Sequence, residues 1–178
     1  MASRSASAGV LWNAGRGILG RLLTGGCSAL LLLHSVPLEA ASNKVRISGL
    51  GDLTFGTLAD LSADAVQSES LCLYSDSATN GYNVRASGSG PGGAFTLTSG
   101  GDSLPFEVQW NSAAGRSSGT QLTANVATSG QVSSATQQSC NSGPATSASL
   151  IVVVRSSALS SAPAGSYNGS LTLVIGPE

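Results

Sequence analysis

One histidine, His34, one methionine, Met1, and three cysteines are all that 178 residues offer of the side chains from which many catalytic and metal sites are built. Charge is scarce as well, at 10% of the chain, and the formal net charge is −1. A nucleic-acid binder needs a clustered basic footprint, and eight cations scattered from Arg4 to Arg155 do not make one. Long apolar runs are missing too. The apolar stretch in "CSALLLLHSV" falls short of the about 20 residues that span a bilayer.

That stretch fits another purpose. Preceded by Arg4, Arg16 and Arg21 and followed by the small residues of "PLEAAS", it reads as an export signal over residues 1–41, cleaved near Ala41. A lipoprotein signal at "LTGGC" fits poorly, because Cys27 precedes the hydrophobic run instead of closing it. Removal leaves 137 residues, enough chain for one domain with one core. Met1, Cys27 and His34 go with the leader, and five cations then face eight acids, a formal net charge of −3.

The lost histidine decides the chemistry. Ser-His-Asp and Cys-His arrangements need an imidazole, and zinc sites of Cys and His need more ligands than remain. Asp60 with Asp64, or Asp102 with Glu107, could form a two-carboxylate hydrolase pair, but nothing in their spacing selects them over solvated turn residues. Asp60, Asp64 and Asp76 do not form a calcium-loop motif. "SGSGPGG" lacks the lysine and following helix of a phosphate cradle and reads as a turn. Asn168-Gly169-Ser170 is a formal glycosylation sequon. The expectation is a protein that is not an enzyme, with no cofactor and no metal. The two remaining cysteines, Cys72 and Cys140, read as one disulfide in an exported chain.

From residue 45 onward, short alternating runs are separated by Gly, Ser, Asn and Asp, the pattern of an all-β sandwich or barrel. "VRISGLGDLTFGTL" places Val45, Ile47, Leu53 and Phe55 at odd positions, with glycines that mark a bend or bulge. "SLCLYS" and "GYNVRAS" read as a hairpin across "DSATN", and "GAFTLTS" and "LPFEVQWN" follow around "GGDS". Alternation puts Leu104, Phe106, Val108 and Trp110 on one face, with Phe106 and Trp110 in the core. "TQLTANVAT" is a fair strand, "SLIVVVRS" a buried one, and "SSALSSAPAGS" a connection to the last, where Leu171, Leu173 and Ile175 alternate with Thr172 and Val174. No amphipathic helix is expected after the leader. If those three aliphatic residues face a core, an earlier strand or another chain must cover the groove beside them.

The export signal, "GDLTFGTL" near the mature start, the expected cystine and the ending "AGSYNGSLTLVIGPE" together resemble chaperone-usher pilin subunits, within these the archaic type with a spore coat protein U-like domain. The resemblance spans most of residues 45–178, its distinctive parts being the two ends. It implies an incomplete immunoglobulin-like β-sandwich that lacks its final strand and is completed by a donor strand from a partner. The implied partners are a periplasmic chaperone, an outer-membrane usher and other pilin subunits, with no nucleic acid and no membrane insertion of the mature chain. The implied function is that of a pilus subunit carried through the periplasm to the cell surface, serving attachment or biofilm formation.

Carried onto this chain, the resemblance makes Leu171, Leu173 and Ile175 one wall of the partner-strand groove, with Tyr167 fixing the incoming strand. Glu178 becomes the carboxylate that a chaperone captures. Either residues 42–48, with Val45 and Ile47, are the donor segment ahead of a domain over 49–178, or a donor is missing and the subunit only accepts, which places it at or near a fibre tip. The alternative is a self-contained exported carbohydrate-binding β-sandwich, with Trp110, Tyr74 or Tyr82 stacking on sugar, or a surface-coat protein.

Overall fold

The computed structural model describes residues 43–178, so the export signal expected over residues 1–41 lies outside the described residues. Ten strands and one short helix follow in order: β1 Val45–Ser48, β2 Ala65–Ser75, β3 Gly81–Gly88, β4 Thr96–Ser99, β5 Asp102–Pro105, β6 Glu107–Asn111, β7 Thr120–Gln121, β8 Ala127–Val132, β9 Ala148–Val154, α1 Ser156–Ser161 and β10 Leu171–Pro177. One sheet has the order β1-β2-β9-β6-β7, a second β10-β3-β8, and β4 with β5 forms a separate hairpin. The chain is all-β with an open edge, the architecture of an incomplete immunoglobulin-like sandwich.

The alternation of β2 and β3 explains how the two sheets meet. Leu71 and Leu73 of β2 and Tyr82, Val84 and Ala86 of β3 are all buried in one core, together with Val108, Trp110, Leu150, Val152 and Val154. The hairpin expected between "SLCLYS" and "GYNVRAS" does not form. β2 pairs with β1 and β9, while β3 pairs with β10 and β8. Both runs carry large apolar side chains on alternate positions, and burying the two faces against each other puts the strands in opposite layers; the link through Asn80, at φ 53°, crosses between sheets.

The hairpin across "GGDS" does form, with Thr96 opposite Pro105 and Ser99 opposite Asp102, and Gly100 takes the positive φ the tight turn requires. "TQLTANVAT" contains two strands instead of one: β7 joins the large sheet and β8 the small one, with Asn125 at φ 63° in the step between layers. β9 is buried along its whole length, as an uninterrupted apolar run predicts for a central strand.

"SSALSSAPAGS" holds the one α-helix among the described residues, the other helical stretch being a 3-10 turn at Pro91–Gly93. α1 has no side-chain cap of its own, and the Asp64 carboxylate accepts the Ser156 N–H at 2.8 Å from across the fold. Its one buried residue, Leu159, completes the core at that pole. The cystine Cys72–Cys140 is present and ties the loop after β8 to β2. Ser133 and Ser147 secure the same loop by donating their hydroxyls to the Leu73 carbonyl at 2.6 and 2.7 Å.

Candidate functional site

Among the described residues, β10 has a neighbour on one side only. Its residues pair antiparallel with β3, from Leu171 opposite Gly88 to Pro177 opposite Tyr82, and it ends its sheet. The other edge presents N–H and C=O groups with no ladder partner. Beside it lies a cleft of about 1070 Å³. Tyr167, Leu171 and Leu173, residues 50–58 with Leu61, and Leu104, Phe106, Leu150, Val152, Val154 and Leu159 all line it.

The segment before β10 is held firmly. Asn168 and Thr98 exchange two backbone hydrogen bonds, at 2.8 and 3.0 Å, and the Ser170 N–H donates to Ser89 Oγ at 3.2 Å. Tyr167 donates its hydroxyl to the Pro163 carbonyl at 2.9 Å, which fixes the ring at the mouth of the cleft. Tyr167, Leu171 and Leu173 line the cleft, and Ile175 packs against the same core without lining it.

The stretch that follows β1 is built differently. Among the described residues, the stretch from 49 to 64 makes no backbone-to-backbone hydrogen bond and belongs to no strand. Leu53, Phe55 and Leu58 nevertheless pack against the core as partly buried side chains. Alternation in "DLTFGTL" signalled the apolar contact. It did not reveal that the ladder is missing, because periodicity reports which face is buried and not which backbone groups are paired. Leu58, Phe106 and Leu159 also belong to the cleft and were not foreseen there, since their neighbours come from four separated parts of the chain.

The structure places the remaining candidates as follows. Val45 and Ile47 lie in β1, paired with Ser75 and Leu73 of the same chain and packed on its core. Glu178 donates its N–H to the Gly81 carbonyl at 3.1 Å, and its side chain accepts the Gly130 N–H at 2.8 Å. Hydrogen bonds from Ser129, Gly130 and Asn83 hold that carboxyl below the usual range. Asp64 and Glu107 both grip Arg155, and Asp60 accepts two hydrogen bonds from Ser62. The Ser156 N–H and the guanidinium lower the Asp64 carboxyl, and the paired acids raise Arg155.

Trp110 and Tyr82 are not available to stack on a sugar. Both are buried, and the indole Nε1–H donates to the Tyr82 hydroxyl at 2.9 Å across an edge-to-face contact with centroids 6.3 Å apart. Burial pushes the Tyr82 phenol up to about 12. Tyr74 is partly buried against the cystine and Ala135.

No protein-family description matches this chain, and no characterised protein matches it by sequence. Solved structures do. The chain aligns with a protein of the chaperone–tip adhesin complex in CFA/I fimbriae biogenesis at a TM-score of 0.50 and 16% identity, over 76% of this chain and 41% of that one. It thus spans about two fifths of that protein's length. It also aligns with the P pilus rod subunit PapA at a TM-score of 0.47 and 17% identity, over 81% of this chain and 97% of that one. The first likeness agrees with the open β-sandwich described above.

Proposed function

We propose that this chain is a structural subunit of a chaperone-usher fibre and that the cleft beside β10 accepts a β-strand from another chain. The observation that carries the reading is that, among the described residues, an unladdered strand edge and an unladdered apolar segment line one cleft together with core side chains. A strand laid there would find backbone partners on both sides and apolar side chains beneath. Burying about three large aliphatic side chains is worth on the order of 1.5–3 kcal/mol each, a sizeable part of a domain's total stability.

The partners in this reading are a periplasmic chaperone, an usher and other subunits, and the setting is a fimbrium at the cell surface serving attachment or biofilm formation. The archaic, spore coat protein U-like subtype belongs to the same proposal, on the two chain ends that resemble it. Val45 and Ile47 are engaged in β1, so a donor role for residues 42–48 requires β1 to leave β2. An accepting subunit near the tip fits that engagement better than a shaft subunit. Deleting residues 42–48 checks this point: unchanged incorporation along the shaft would rule out the donor role, and shaft incorporation lost by a deleted chain that still folds to an unchanged urea midpoint would support it.

The groove itself is tested by fusion. Residues 42–178 are exported with and without an Asn-Gly turn and a seven-residue strand of alternating Val and Thr placed after Glu178. The fused strand folds back along the free edge of β10 as a hairpin. We expect its melting temperature to rise by roughly 10–20 °C and the product to become monomeric. Equal melting temperatures would mean a closed, self-sufficient module.

A further inference from the structure

The segment from 49 to 64 is fixed at both ends and unpaired between them. At one end it continues from β1, which is laddered to β2 through Ser48 opposite Cys72. Gly49, at φ 83°, turns the chain there, a conformation that a side chain would strain. At the other end, Asp64 accepts from Arg155 at 2.8 Å and from the Ser156 N–H at 2.8 Å, while Glu107 holds Arg155 from the far side. Between these anchors, side-chain contacts of Leu53, Phe55 and Leu58 hold the segment on the core. Leu50 and Leu61 remain exposed at its two shoulders.

Such a segment has two ways to satisfy its backbone. It can stay solvated, as here, or pair with a strand beside it. Moving between the two costs no ladder bond to any other described residue, because none joins it to them. From this we infer that residues 49–64 are a movable strap, hinged at Gly49 and latched by the Asp64–Arg155–Glu107 cluster, that gates access of a partner strand to the cleft. The gating half of this inference rests on the function proposed above; the strap and its latch do not.

A single thiol reads the strap in the full exported chain, whose two native cysteines remain oxidised. Leu53→Cys is labelled with a maleimide, and Val174→Cys, on the exposed face of β10, serves as control. Adding Asp64→Asn or Glu107→Gln should speed labelling at position 53 by about three- to tenfold and leave position 174 unchanged. Raising the salt concentration to about 1 M should act in the same direction without any latch mutation, since the latch is solvent-exposed. Unchanged labelling at position 53 under both treatments overturns the latch. The fused Val-Thr strand should slow labelling at position 53 by at least about tenfold, as it pins the strap. Faster labelling in the latch variants with no slowing by the fused strand would keep the strap and overturn the gating.

Discussion

Arg155 and the Trp110–Tyr82 pair carry the most specific single-residue consequences. Asp64 is held below its ordinary range, so its contribution to stability is complete above the usual aspartate value of about 3.9 and is lost as pH falls through the lower native value. Urea midpoints should therefore vary little between pH 5 and 7 on its account and fall below about pH 4, and Asp64→Asn should flatten that acid limb. At the alkaline end the sign reverses. The Tyr82 phenol is raised, so its contribution is present below about pH 10 and is lost as pH rises toward about 12. Tyr82→Phe should leave the absorbance titration between about pH 9 and 11 unaltered, because the buried phenol does not ionise there. The same substitution strands the buried Trp110 N–H and should cost about 1–3 kcal/mol in urea unfolding, where an exposed tyrosine would cost little. Sequence pattern placed Trp110 and Phe106 in the core. It could not show that Tyr82 would meet Trp110, since the two lie in different sheets and their contact exists only once those sheets pack.

At the scale of elements, alternation was readable wherever a strand buries one face, as in β6 and β10, and an unbroken apolar run was readable as the central β9. Two features were hidden for physical reasons. Partner choice between β2 and β3 depends on which faces are buried against each other, not on turn residues, so a hairpin signal at "DSATN" led to a crossing between layers. α1 depends on an anchor 92 residues away, the Asp64 carboxylate on the Ser156 N–H, and no local pattern carries that information. The cystine belongs to this scale because it joins β2 to a polar loop with few apolar anchors. Replacing Cys72 and Cys140 together by serine should remove up to about 4 kcal/mol, the loop-closure value for so long a separation. A midpoint unchanged in urea would mean that Ser133 and Ser147 alone hold that loop to Leu73.

For the molecule as a whole, the open side is the feature that organises the account. Among the described residues, a three-stranded sheet ends at β10, and that strand, an unladdered segment and buried core side chains line one cleft. The ending "SLTLVI" already showed a strand needing cover, and the fold shows that no strand among the described residues supplies it on that edge. Amide hydrogen exchange across β10 reads this directly, comparing the exported chain with its Val-Thr strand fusion. In the unfused chain, the β10 amides that face away from β3 should exchange quickly while their neighbours are protected. In the fusion, those outward amides and amides within residues 50–58 should become protected together. Exchange of β10 and residues 50–58 that is the same with and without the added strand would rule out the cleft as a strand acceptor.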